Sequence, residues 1–130
     1  MSQETVETLR RLYGALNEGV DQSLRDLLHP EFVYHSREEL PGGGVYPGRD
    51  MLGRLAELRE IFREVRFVPE EFIGSGTDIV VAVRGTGRGR VSGVPVDVRL
   101  FHVWRIQSGK ARALSIYSAR AEALEAAGLK

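Results

Sequence analysis

Apolar side chains in the opening segment recur at steps of three and four: Val6, Leu9, Leu12, Tyr13, Leu16 and Val20. That spacing lines one face of an α-helix. Ser2 supplies a polar start and Gly19 ends the run. A second, short helix carries Leu24, Leu27 and Leu28 and is stopped by His29-Pro30. The aromatic, alternating stretch Glu31–Ser36 predicts a strand. Leu40–Gly48, rich in glycine and proline, predicts a loop. Met51, Leu52, Leu55, Leu58, Ile61, Phe62 and Val65 then mark one side of a third helix, whose other side holds mixed charges suited to solvent.

From Arg66 the period changes to two. Arg66–Gly74, interrupted by Pro69, predicts an edge or bulged strand. Ile79–Arg90 and Val96–Gln107 predict two long strands, and Ser108-Gly109 forms a two-residue turn into Lys110–Ser118. The alanine-rich tail, Ala119 to Leu129, predicts a last helix with Gly128 as its end signal. Helices followed by a meander of strands imply an α+β fold with a mainly antiparallel sheet, in one domain spanning residues 1–130.

The last hairpin assigns faces. Alternation puts Val96, Val98, Leu100, His102, Trp104 and Ile106 on one side of their strand. A regular two-residue turn pairs Trp104 with Ala113, His102 with Ser115 and Leu100 with Tyr117. His102, Ser115 and Tyr117 are thus expected to converge on one apolar face, as in a small-molecule cavity. The plainer alternative is a core in which His102 and Ser115 hydrogen-bond each other. The opposite face is expected to carry Phe101, Val103, Leu114 and Ile116, framed by Arg99, Arg105 and Arg112. So much apolar surface predicts a second subunit as its cover, hence a homodimer.

Composition narrows the function. The chain has 130 residues, and 18 basic side chains balance 18 acidic ones. A neutral chain argues against a nucleic-acid partner. The longest apolar run, Ile79 to Val83, is too short for a membrane helix. The acidic, polar opening is unlike a secretory leader, and the absence of cysteine suits a reducing compartment, so the expected location is cytoplasmic. No cofactor or metal is expected. The GTGRG stretch from Gly85 lacks phosphate-loop spacing, His29 and His35 lack partners at ligand spacing, and no GxSxG elbow occurs. Arg84, Arg88 and Arg90 suit a solvated face, and Glu70 and Glu71 an exposed one.

The stretches LRRLYGALNEGV, DLLHPEFVYHS, PGGGVYPGRD, HVWRIQSGKARALSIYSAR and EALEAAGL, in this order and at this length, resemble the SnoaL-like branch of the nuclear-transport-factor-2-like (NTF2-like) superfamily. The resemblance implies a cone-shaped, cystatin-like roll: N-terminal helices packed on a curved sheet around a pocket, usually in a dimer. The superfamily includes ketosteroid isomerase, scytalone dehydratase, limonene-epoxide hydrolase and polyketide cyclases, besides members that only bind, so fold does not settle function. Ser36 stands where the isomerase and many SnoaL-like chains carry a proton-shuttling aspartate. Leu12 falls at the isomerase's helix-one tyrosine, with Tyr13 adjacent, and His102 falls at its protonated carboxylic acid. Steroid isomerisation is therefore disfavoured. Asp97 and Arg99 lie on the face away from His102, so the epoxide hydrolase arrangement is not evident either.

The expected site comprises His102 and Tyr117 as candidate catalytic groups, with Tyr34, Ser36, Leu100, Trp104 and Ser115 as candidate binding residues and Tyr13 and Met51 at the mouth. Two function classes follow. One is a pocket that binds a small hydrophobic or aromatic carbonyl compound. The other is a cofactor-independent isomerase, dehydratase, cyclase or hydrolase with His102 as acid/base.

Overall fold

The Ser2 hydroxyl accepts a hydrogen bond from the Thr5 N–H at 3.1 Å and caps α1, Gln3–Glu18. At the other end Gly19 takes the left-handed conformation, φ 71°, and its N–H reaches the Ala15 carbonyl at 3.1 Å. Between the caps, Leu9, Leu12, Tyr13 and Leu16 are buried on the expected face. The computed structural model describes residues 2–19, 21–36, 44–74 and 76–129, so Val20 and the first part of the predicted glycine loop lie outside the described residues. The remaining elements are α2 (Asp21–Leu27), β1 (Leu28–Ser36), β2 (Gly44–Pro47), α3 (Gly48–Ile61), β3 (Phe62–Ile73), β4 (Asp78–Gly89), β5 (Pro95–Gln107), β6 (Lys110–Tyr117) and α4 (Arg120–Ala126).

The strands form one sheet in the order β2-β1-β6-β5-β4-β3, antiparallel except where β1 runs parallel to β6. This is the expected α+β roll, with α1 packed against one sheet face. Asn17 ties that helix to β3: its Nδ2 donates to the Phe67 carbonyl at 2.9 Å, and its Oδ1 accepts the Phe67 N–H at 2.6 Å. Register shifts between Arg63 and Arg66, and between Pro69 and Glu71, mark bulges in β3. Bulges of this kind bend a strand, which lets the sheet curve around the core.

Several boundaries differ from expectation, and Gly44–Pro47 of the predicted loop forms strand β2. Leu28, His29 and Pro30 open β1 instead of closing a helix. Pro30 is tolerated because the ladder to β6 is interrupted between Leu28 and Val33. Within that stretch the His29 Nδ1 accepts the Glu31 N–H at 3.0 Å. The third helix stops at Ile61, although its apolar period continues through Phe62 and Val65. No glycine or proline ends it; pairing of Phe62 with Gly89 and Arg63 with Arg88 captures that segment as strand.

The decisive difference is in the last hairpin. Ser108 and Gly109, φ 53° and 74°, form the expected turn, and Gln107 pairs with Lys110 and Ile106 with Ala111. The register then slips: Arg105 faces Ala113, and Arg112 is the extra residue of a bulge. Beyond it Trp104 pairs with Leu114, Val103 with Ser115, His102 with Ile116 and Phe101 with Tyr117. Every later side chain of β6 is therefore on the face opposite to the one a regular hairpin gives. Ser115 and Tyr117 leave the face of His102, while Leu114 and Ile116 join it. The physical gain is plain in the burial: Leu114 is 3% exposed in the main core, and Ile116 packs against that core.

The expected subunit-facing surface changes accordingly. Phe101 and Val103 lie on the outer face with Val80 and Ala82, and all four are buried within this chain. The cover is α4 and the residues after it, through Ala123, Leu124, Ala127 and Leu129. A second subunit is not required to shield these residues, so this face does not itself argue for the expected homodimer. The arginines of that face are paired: Arg105 donates to Asp78 at 2.9 Å, Arg120 to Glu71 at 2.9 Å, and Arg84 forms a two-point pair with Asp97.

The slipped register makes a direct prediction. Leu114→Ala should cost about 2–5 kcal/mol, as core truncations do, whereas Ser115→Ala should change stability by less than about 1 kcal/mol. Urea unfolding of both variants checks it; the reverse ranking would restore the regular hairpin.

Candidate functional site

The inner sheet face is built from alternating positions on β4 and β5. Ile79, Val81 and Val83 on β4 pair with Trp104, His102 and Leu100 on β5. All but Leu100 are nearly or fully buried. Among these apolar neighbours His102 is 3% exposed, and it faces Tyr13 of α1. The Tyr13 Oη lies 2.7 Å from His102 Nδ1 and 2.8 Å from Trp104 Nε1.

The order of donors follows from satisfying every proton. An indole N–H only donates, so Trp104 gives its proton to the Tyr13 oxygen. If His102 also donated from Nδ1, the tyrosine proton and the Nε2 lone pair would both be stranded. If instead Tyr13 donates to Nδ1, the network runs Trp104 to Tyr13 to His102 and a single group is left over. We assign this second order, with the imidazole proton on Nε2. His102 Nε2 is the buried side-chain nitrogen or oxygen without a partner among the described residues. Buried polar atoms are nearly always paired, so such an orphan marks a place where something else belongs.

The environment also sets charge. Burial in apolar surroundings pushes the His102 pKa down from 6.5 to about 4, so the ring is neutral around pH 7. Burial likewise raises Tyr13 above the usual phenol range, opposed by the hydrogen bond from Trp104. Both groups act as neutral hydrogen-bonding partners.

A cavity of about 560 Å³ opens in front of His102. Its sheet wall is Leu100, His102, Leu114 and Ile116, with Tyr34 from β1 and Phe67 from β3. Leu16 of α1 and Met51, Leu55 and Leu58 of α3 close the other side. Arg54 and Glu57 of α3 also line it, with Arg54 Nη1 3.6 Å from Glu57 Oε2, the carboxylate on the more exposed side chain. The cavity is thus apolar with few polar points, the usual composition of a small-molecule site.

Of the residues singled out from sequence, Tyr34, Met51, Leu100 and His102 line this cavity together. Tyr13 and Trp104 stand behind His102 and hold it, rather than lining the mouth. Ser115 and Tyr117 face outward, and Tyr117 packs against the cluster covered by α4. Ser36 ends β1, and its side chain lies outside the described residues. Sequence analysis missed Leu114 and Ile116 because of the bulge. Of the apolar side of α3 only Met51 was expected at the site, and Arg54 and Glu57 read as solvated charges, because nothing local indicates which turn of a helix borders a hollow.

The fold and this arrangement can now be compared with known proteins. A family model described as the SnoaL-like domain matches residues 9–114. The chain belongs to the SnoaL-like family. No curated protein matches its sequence. Among solved structures, an NTF2-like protein of unknown function from Burkholderia pseudomallei is 25% identical, with a TM-score of 0.76 and 98% of each chain covered. IdmH of Streptomyces antibioticus, a candidate polyketide cyclase, is 20% identical with a TM-score of 0.79, covering 98% of this chain and 99% of that one. A candidate SnoaL-like polyketide cyclase from Jannaschia sp. is 22% identical, TM-score 0.77, with 98% and 94% covered. This SnoaL-like domain therefore shares the NTF2-like fold along nearly its whole length. Among its described residues no helix is long and apolar enough to cross a membrane.

The buried imidazole makes stability depend on pH with a defined sign. The unfolded chain, with a histidine pKa near 6.5, binds the proton more readily than the fold does. Stability from neutral His102 is full above about pH 6.5 and is lost as pH falls toward 4. At about 1.4 kcal/mol per pKa unit the loss is roughly 3 kcal/mol. Urea unfolding between pH 7 and pH 4 should show this slope, and His102→Gln should remove most of it.

Proposed function

We propose that this SnoaL-like domain binds a hydrophobic or aromatic carbonyl compound, whose carbonyl oxygen accepts a hydrogen bond from His102 Nε2–H. One observation carries this: His102, which lines a mainly apolar cavity, has a buried ring nitrogen without a partner. A neutral donor in an apolar site discriminates for an acceptor, because a ligand without one leaves the N–H unpaired. The remaining surface favours apolar rings or chains. The size of the cavity lies within the usual range for small-ligand sites, roughly 300–1,000 Å³. The fold's likeness to candidate polyketide cyclases is consistent with a ligand of this class.

The same geometry bears on catalysis by an isomerase, dehydratase, cyclase or hydrolase. The His102 Nδ1 lone pair is engaged by Tyr13, and burial depresses the basicity of the ring. His102 is thus suited to stabilise a developing enolate or alkoxide oxygen by donation, and ill suited to serve as general base. The carboxylate among the described lining residues is Glu57, at the cavity's edge beside Arg54. Binding is therefore the function we assign, with His102 as its polar anchor.

The test is a thermal-shift and NMR titration with aryl and alkyl ketones. A ligand at about a hundred times its Kd should stabilise wild type by about 2.7 kcal/mol, and should move the His102 Nε2–H resonance. His102→Phe should weaken that ligand about tenfold or more. Unchanged affinity in a folded His102→Phe protein would refute the assignment.

A further inference from the structure

A smaller apolar chamber of about 140 Å³ adjoins the main cavity, with Leu58, Phe62, Phe67 and Leu100 lining both. Its floor is the β4 segment around Gly85 and Gly87. These glycines continue the inner-face row of Ile79, Val81 and Val83, since Gly85 pairs with Val98 and Gly87 with Val96. Neither has the positive φ that would demand glycine. Glycine weakens a strand interior, and often marks a place where another group approaches the backbone closely. Here a Cβ would sit in ordinary contact with the protein's own atoms. A Cβ on Gly85 would meet Val98 Cγ2 at 3.4 Å, and one on Gly87 would come within 3.6 Å of the Phe62 Cβ.

The rim is apolar as well. Val98 lines the chamber yet is 45% exposed, and Ile61 lines the main cavity yet is 61% exposed. Arg66 and Thr86 also border the chamber, but they pair with each other on the outer-face register. His102 and Val98 lie four residues apart on one face of β5, roughly 13 Å at the usual strand rise.

We propose that this chamber is a tail subsite: a ligand anchored at His102 runs past Leu100 and lays an extended apolar tail over Gly85 and Gly87. The ligand is then a long carbonyl compound, an alkyl chain or linear ring system, and not a compact single ring. The proposal rests on the carbonyl assignment above, and it adds a length requirement that the main cavity alone does not impose.

The experiment is a calorimetric titration with methyl ketones of increasing chain length, in wild type, Gly87→Val, Val98→Phe and His102→Phe. In wild type, Kd should fall about threefold to fourfold per added methylene once the main cavity is filled. Gly87→Val and Val98→Phe should bind short ketones as wild type does and lose that length dependence. A wild-type slope retained in both would overturn the tail subsite. So would His102-dependent binding of short ketones with no gain from length, and this would leave the carbonyl assignment standing. If ketones of every length fail to bind, or bind equally to His102→Phe, the carbonyl assignment falls and the subsite with it. Should Gly87→Val misfold, Val98→Phe decides, because it alters a side chain already half in solvent.

Discussion

The hydroxyl of Tyr13 is the joint on which this domain depends. A phenol buried between a helix and a sheet must find partners for its oxygen and its proton, or destabilise the fold by a few kcal/mol. Trp104 supplies the donor and His102 the acceptor, both from the inner face of β5. The three rings lie with centroids about 6 Å apart, near-parallel for Tyr13 and His102 and edge-on for Tyr13 and Trp104. These contacts fix the rotation of α1 against the sheet. They also fix the imidazole's tautomer, which leaves a buried Nε2–H donor on a residue that lines the cavity. Packing and chemistry are here the same set of bonds.

The bulge at Arg112 is the second constraint. A regular ladder from the Ser108-Gly109 turn would have sent Ser115 and Tyr117 inward and left Leu114 and Ile116 outside. One inserted residue reverses this, giving the cavity a wall of Leu114 and Ile116 beside His102. Arg112 itself reaches across to the Glu31 carbonyl, linking the bulge to β1. On the outer face, α4 closes over Val80, Phe101 and Val103. The surrounding arginine–carboxylate pairs are exposed; they orient the surface and contribute little to stability.

The inner hollow survives because α3 lies along it without filling it. Met51, Leu55 and Leu58 face the sheet across the cavity, and the register of β4 offers glycine where its row would otherwise continue in valine. A sheet bent by two bulges in β3, and tied to α1 through Asn17, encloses more volume than its own side chains occupy. Such a space is kept open by the rigidity of its frame. His102, among its lining residues, carries the one buried side-chain nitrogen or oxygen without a partner among the described residues.

Periodicity alone was sufficient for most of the longer elements, the α+β class and the helix-one face, because three-and-four spacing and strict alternation are local consequences of backbone geometry. The SnoaL-like resemblance and the place of His102 among apolar residues of its strand were legible for the same reason: motif order and strand parity are carried by neighbouring residues. The end of α3, the strand start at Leu28 and the bulge at Arg112 were not. Each is settled by competition between local preference and pairing with a distant strand, and a shift of one residue inverts a whole strand. Tyr13 was legible as a helix-face residue and Trp104 as a sheet residue, yet their junction through a hydroxyl spans the chain. The sequence by itself thus determined which face of α1 would be apolar and which histidine would sit among the apolar residues of β5. Only the tertiary structure decided what stands beside that histidine, since burying Leu114 and Ile116 outweighs the register that the turn alone would impose.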